Sequence, residues 1–88
     1  KLRFNLNKHN GLGNTYYNLA ASYQKLGRLD DAYNAFWESK KSAEAQDKPI
    51  LIAYADLGLG QLLLVKSKYL QADKLLNDAE ELFKQFFN

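Results

Sequence analysis

The residue types that most often carry chemistry are sparse in this chain: of 88 residues none is cysteine, and one, His9, is histidine. Thiolate nucleophiles, disulfides and cysteine-based zinc sites are thereby excluded, and His9 alone completes neither a metal shell nor a catalytic triad. The adjacent carboxylates Asp30 and Asp31, and likewise Glu80 and Glu81, fall within helical patterns. Neighbours in sequence diverge on a helix, so neither pair shares a site and both read as surface charge. Gly11-Leu12-Gly13 and Gly58-Leu59-Gly60 also lie inside helical patterns, with no strand before them and no Lys-Ser/Thr after, so they do not make a phosphate loop. Gly60 suits a close helix approach, whereas Gly11, Gly13 and Gly58 suggest only a weakened or late-starting helix. No nucleophile, base and orienting group assemble, so the expectation is a protein that is not an enzyme and holds no metal or cofactor. The remaining chemistry is recognition by aromatic and amide side chains. Tyr33 and Trp37, one helical turn apart, can touch, and their place beside the core stripe favours burial against the next helix over an outer patch.

The elements that must position these groups are helices. Leu12, Tyr16, Leu19, Tyr23 and Leu26 recur at steps of three and four, which puts a helix over about 10–26 and lets Gly27 end it in the left-handed conformation. Asp30 and Asp31 then sit in the first turn of a second helix, where their charge suits the dipole, and Ala32, Phe36, Ser39 and Ala43 follow to about Gln46. Asp47-Lys48-Pro49 reads as a start signal, with Asp47 as the cap. A third helix over about 48–65 aligns Ile52, Asp56, Leu59, Leu63 and Lys66, in which Asp56 is the odd member. A fourth, about 69–87, carries Ala72, Leu75, Leu76, Ala79, Leu82, Phe83, Phe86 and Phe87. No segment alternates with period two, so the fold class is all-α.

The helices repeat. Placing Ala32 on Ala72 sets an offset of 40 residues and brings Leu19/Leu59, Ala20/Gly60, Leu29/Tyr69 and Phe36/Leu76 into register. Two amphipathic helices per unit at such a period mark an α-solenoid, whose units bury a core only by stacking and whose use is to present a surface. Two units are fewer than such arrays usually need, so the chain reads as a piece of a longer protein. Residues 1–8 are either a connector with the tail of a preceding repeat or the start of a longer first helix. Twelve Lys and Arg against ten Asp and Glu leave a net charge of +2, spread along the chain, which argues against a nucleic-acid footprint. The longest apolar runs, 50–55 and 62–65, are far below the ~20 residues of a membrane span, so a soluble protein without a membrane partner is expected. The lack of cysteine fits the cytoplasm.

The spacing Tyr16-x-x-Leu19-Ala20-x-x-Tyr23, then Gly27-x-Leu29-x-x-Ala32-x-x-x-Phe36, resembles the tetratricopeptide repeat, and the likeness covers about residues 13–87. It implies stacked antiparallel helical hairpins in a right-handed solenoid, with one repeat over about 9–46 and another over 49–87. There are departures. The family period is about 34 residues, Ser67 replaces a turn glycine, Asp56 stands where the first large aromatic belongs, Ser39 replaces an alanine, and the closing proline moves from the position of Glu44 to Pro49. Longer-period relatives in bacterial signalling and regulatory proteins are similar in this respect.

In that family the first helix of each repeat lines a concave groove. The resemblance implies a groove of Asn14, Tyr17, Asn18, Ala21, Gln24 and Lys25, continued by Tyr54, Leu57, Gly58, Gln61, Leu64 and Val65. Asn14, Asn18 and Gln24 supply amide donors and acceptors, Tyr17 and Tyr54 amphipathic anchors, and Lys25 one positive charge, a set suited to a peptide backbone and carboxylates. Leu57, Leu64 and Val65 are costly as an open patch, and packing against the neighbouring repeat is the favoured way to cover them. Phe83, Phe86 and Phe87 put aromatics around the end of the last helix, which points to a further repeat or to a homodimer formed through that helix. The expected function is a protein or peptide interaction scaffold within a larger regulatory protein. One rival is an architectural or dimerisation repeat whose groove is filled by its own chain; a second, which the charge balance counts against, is a nucleic-acid-binding helical repeat.

Overall fold

A computed structural model describes residues 12–87. Among them are four α-helices and no strand: α1 (Leu12–Lys25), α2 (Leu29–Ala45), α3 (Pro49–Val65) and α4 (Tyr69–Phe87). Each helix packs on its neighbour in sequence, α1 also touches α3, and the chain reverses at three short turns. The readings that fall on residues 1–8, on His9 and Gly11, and on the start of the first helix at about 10 lie outside the described residues.

The three turns are one device used three times. Gly27, Asp47 and Ser67 all have positive φ, at 79°, 54° and 61°, and stand 20 residues apart. At each, the left-handed residue donates its N–H to the carbonyl three back, as Gly27 does to Gln24 at 3.1 Å, and the next residue donates to the carbonyl five back, as Arg28 does to Tyr23 at 2.9 Å. The same pairs join Asp47 to Glu44 and Lys48 to Ala43, then Ser67 to Leu64 and Lys68 to Leu63. This pattern satisfies carbonyls that a helix end leaves open. It also corrects the expected role of Asp47. The N-cap of α3 is Lys48, with no side-chain cap bond, and Asp47 serves instead as the left-handed residue that ends α2. Pro49 does open α3, where its missing N–H costs nothing.

The core lies where α1, α2 and α3 meet. Ala20, Ala32, Ala35, Phe36, Leu59 and Leu62 form its buried cluster, and Tyr17, Tyr23, Trp37 and Leu75 pack partly against it. α3 is the most enclosed helix, burying residues on most of its circumference, whereas α4 buries only Ala72 and Ala79. Two expected core positions stay open: Leu19 on α1 and Leu26 in the turn after it are exposed. Glycines mark the closest approaches. A Cβ on Gly13 would stand 2.8 Å from Leu51, one on Gly58 2.6 Å from the Phe36 ring, and one on Gly60 2.6 Å from Leu76. The buried Phe36 ring at Gly58 and the Leu76 side chain at Gly60 leave no room for a Cβ, whereas at Gly13 the tip of half-buried Leu51 would have to move aside. Ser39, in place of an alanine, donates its hydroxyl to the Gly13 carbonyl at 2.9 Å, so the buried oxygen is paired.

Candidate functional site

Four ring contacts cross all four helices in one row. Phe36 of α2 meets Tyr17 of α1 edge-on, with centroids 5.5 Å apart, and Tyr17 reaches Tyr54 of α3 at 6.1 Å. Tyr54 in turn meets Phe83 of α4 at 5.2 Å, and Phe83 stacks on Phe87 at 6.0 Å. Such spacings lie in the attractive range for ring pairs. The row begins in the core and ends in solvent. Phe36 is buried, Tyr17 half-buried, and Phe87 63% exposed.

The groove residues expected from the sequence are only partly drawn together. Tyr17 and Tyr54 are joined by their rings. Asn14, Asn18 and Lys25 on α1, and Gln61 on α3, are exposed, while Gln24 and Ala21 are half-buried. Leu57 turns away from the amides toward α4 and, with Leu76, Ala79, Phe83 and Phe87, walls a depression of about 590 Å³ rimmed by Glu80 and Lys84. Gly58 does not face a groove, because the Phe36 ring covers it. No other unit among the described residues covers these side chains as expected: Leu57 is half-buried beside α4, and Leu64 and Val65 remain 41% and 65% exposed. Phe86 is exposed beside Phe87. Tyr33 and Trp37 do touch, with centroids 6.4 Å apart, and both are partly buried against the core.

Sequence reasoning missed the ion pair between Lys40 and Asp56. Asp56 is buried on α3, and Lys40 of α2 brings Nζ to 2.8 Å of its Oδ1 while lying over the Trp37 ring at 5.0 Å. The approach is off the angles of a hydrogen bond, so Oδ1 has the charge of a partner without an aligned donor. Burial pushes the Asp56 carboxyl above its usual range; Lys40 offsets this, and Asp78 and Glu44 add to the rise. The signal was present, since an aspartate in the stripe Ile52–Leu59–Leu63 needs a buried cation. Outside the core, Asp31 pairs with Arg28 at 2.7 Å, and Asp30 reaches across to Lys66 at 2.6 Å, which lowers the Asp30 carboxyl below its usual value.

Among the described residues no group of three or more His, Cys, Asp and Glu is placed to hold a metal ion, and no helix is long and apolar enough to cross a membrane. The chemistry on display is that of an all-α protein with an aromatic and amide surface. No protein-family model matches the chain, and no solved structure matches it. Over 46 residues it is 46% identical to the 43 kDa receptor-associated protein of the synapse from Tetronarce californica, a match that takes in 47% of this chain. The chain spans 11% of that protein's length.

Proposed function

We propose that this chain is a tetratricopeptide-type interaction module that holds a peptide or protein segment along the face of α1 and α3, as the repeat portion of a larger regulatory or signalling protein. The observation that carries the reading is the aromatic row from Tyr17 through Tyr54, flanked on α1 by the exposed amides of Asn14 and Asn18. Rings supply contact area at low entropic cost, and amides pair with a backbone whatever its side chains. The likeness to a protein named for its association with a receptor agrees with a binding role. The test is a random peptide library selected on the chain, with selected peptides mapped by amide chemical shifts. The expected peptides perturb α1 and α3 and bind at least tenfold more weakly, about 1.4 kcal/mol, to Tyr54→Ala and Asn18→Ala. Peptides that ignore both changes, or a selection that enriches none, would sink it.

The exposed Phe86 and Phe87 favour a second reading, an architectural repeat that dimerises through α4. Light scattering decides it: a dimer that Phe86→Glu/Phe87→Glu converts to monomer supports this role, and a monomer in both cases removes it.

A further inference from the structure

α2 and α4 each pack on α3 but do not meet each other, so a cleft runs between them with α3 as its floor. Asp56 stands two positions on from Tyr54, about 200° round the helix, which puts this cleft on the other side of α3 from the aromatic row. The cleft has two joined halves that share Lys40 and Asp78. One, of about 320 Å³, is walled by Tyr33, Trp37, Leu63 and Leu75. The other, of about 340 Å³, is lined by Glu44, Asp56 and Glu81 beside Ile52 and Leu82. Its charges do not balance. Four carboxylates come from three helices: Glu44 from α2, Asp56 from α3, Asp78 and Glu81 from α4. Lys40 pairs with Asp56 at 2.8 Å and Lys74 with Asp78 at 3.6 Å, while among the described residues Glu44 and Glu81 have no ion pair. Lys40 is also an incomplete partner for Asp56. Its ammonium lies over the Trp37 ring at 5.0 Å, and Oδ1 of an aspartate only 2% exposed is left without a hydrogen bond. A buried oxygen in that state carries a cost that an aligned donor would remove. Burial raises the Asp56 carboxyl, and Asp78 and Glu44 add to the rise.

The missing charge is that of a cation, and the lining constrains its form. Among the described residues no three carboxylates are placed to hold a metal ion, so the charge has to be carried on an organic group. A guanidinium spreads five donors over one plane and serves two carboxylates at once, which the point charge of an ammonium does not do. The apolar half next door suits the alkyl stem that bears such a group. We propose that the cleft between α2 and α4 binds a guanidinium group, with its donors on Asp56 and on Glu44 or Glu81 and its stem along Trp37 and Leu75. An arginine side chain and a small guanidine compound share this chemistry. Because the cleft opens on the far side of α3, it stands apart from the peptide-binding face of α1 and does not depend on it.

The probes are N-acetyl-arginine amide, ethylguanidinium, and N-acetyl-citrulline amide, which keeps the shape of the arginine group and loses its charge. Each is titrated into the whole chain while Trp37, the one tryptophan, is followed by fluorescence and the backbone amides by chemical shift. The arginine amide is expected to saturate and to perturb Trp37 and the amides around Lys40, Asp56 and Glu81. Glu44→Gln/Glu81→Gln, a change of two exposed side chains, should weaken it about fivefold, the effect of two surface ion pairs. Asn18→Ala should leave it unchanged. A response linear in concentration, equal binding of the citrulline amide, equal shifts at Asp31 and Asp47, or an affinity that Glu44→Gln/Glu81→Gln does not alter would overturn the proposal. Ethylguanidinium that binds as tightly as the arginine amide assigns the cleft to small guanidines, and weaker binding assigns it to an arginine side chain.

Discussion

Among the described residues, Lys40 and Asp56 form the interaction in which a formal charge is taken well out of water. The Asp56 carboxyl is raised above its unfolded value of 3.8, so the folded chain holds that proton more tightly than the unfolded chain does. Its contribution to stability is therefore fully present below the unfolded value and is lost as pH rises through the higher folded one. Urea melts of the wild type and Asp56→Asn should show the wild type gaining relative to the variant as pH falls from about 7 to about 4. A constant difference would mean that the carboxyl does not titrate differently in the two states. Removing only the cation is the harsher change. Lys40→Met strands a buried carboxylate and should cost about 3 kcal/mol at neutral pH, less in acid, whereas Lys40→Met/Asp56→Leu should recover most of it. Gly58 poses the opposite problem, of a missing atom. Alanine would favour the helix by about 1 kcal/mol. Its Cβ would press on a Phe36 ring that is itself buried, at 2.6 Å. Overpacking costs about 1–3 kcal/mol, so Gly58→Ala should lower the urea midpoint despite the better propensity.

Helix boundaries were legible because they rest on local signals. The turn at Gly27, the acids opening α2, Pro49 at the head of α3 and the whole span of α4 were all readable from spacing and residue type. Asp47 was misread for a local reason as well: an acid before Lys-Pro suits either a cap or a left-handed turn, and the 20-residue spacing of the turns decides for the second. What the sequence could not show is which side of each helix meets a partner. Leu57 and Tyr54 sit three apart on α3, yet one is drawn toward α4 and the other bridges α1 and α4, because α4 packs along one flank of α3 only. The Lys40–Asp56 pair joins residues on different helices and has no local spacing to announce it. Strain at the turns is testable. Ser67 holds φ at 61° without the freedom of glycine. Ser67→Gly should raise stability by roughly 0.5–1 kcal/mol, as the left-handed penalty outweighs the entropy glycine adds to the unfolded chain. Asp47→Gly should gain less, since aspartate tolerates this region better than serine. Chemical melts of the two variants check the order.

Across the described residues most helix contacts join neighbours in sequence, with a smaller one between α1 and α3. α3 meets α1, α2 and α4 and buries Leu59, Leu62 and Leu63, while α4 has a single partner and keeps much of its surface in water. A helix held by a single interface has less to lose on opening than one held by several, so α4 opens before α3. Native-state hydrogen exchange should therefore find α4 amides opening at a lower free energy than those of α3, with Leu76 and Ala79 exchanging before Leu59 and Leu62. Equal protection in the two helices would mean that the four helices unfold as one unit and that the row from Tyr54 to Phe83 and Phe87 couples α4 fully to the rest.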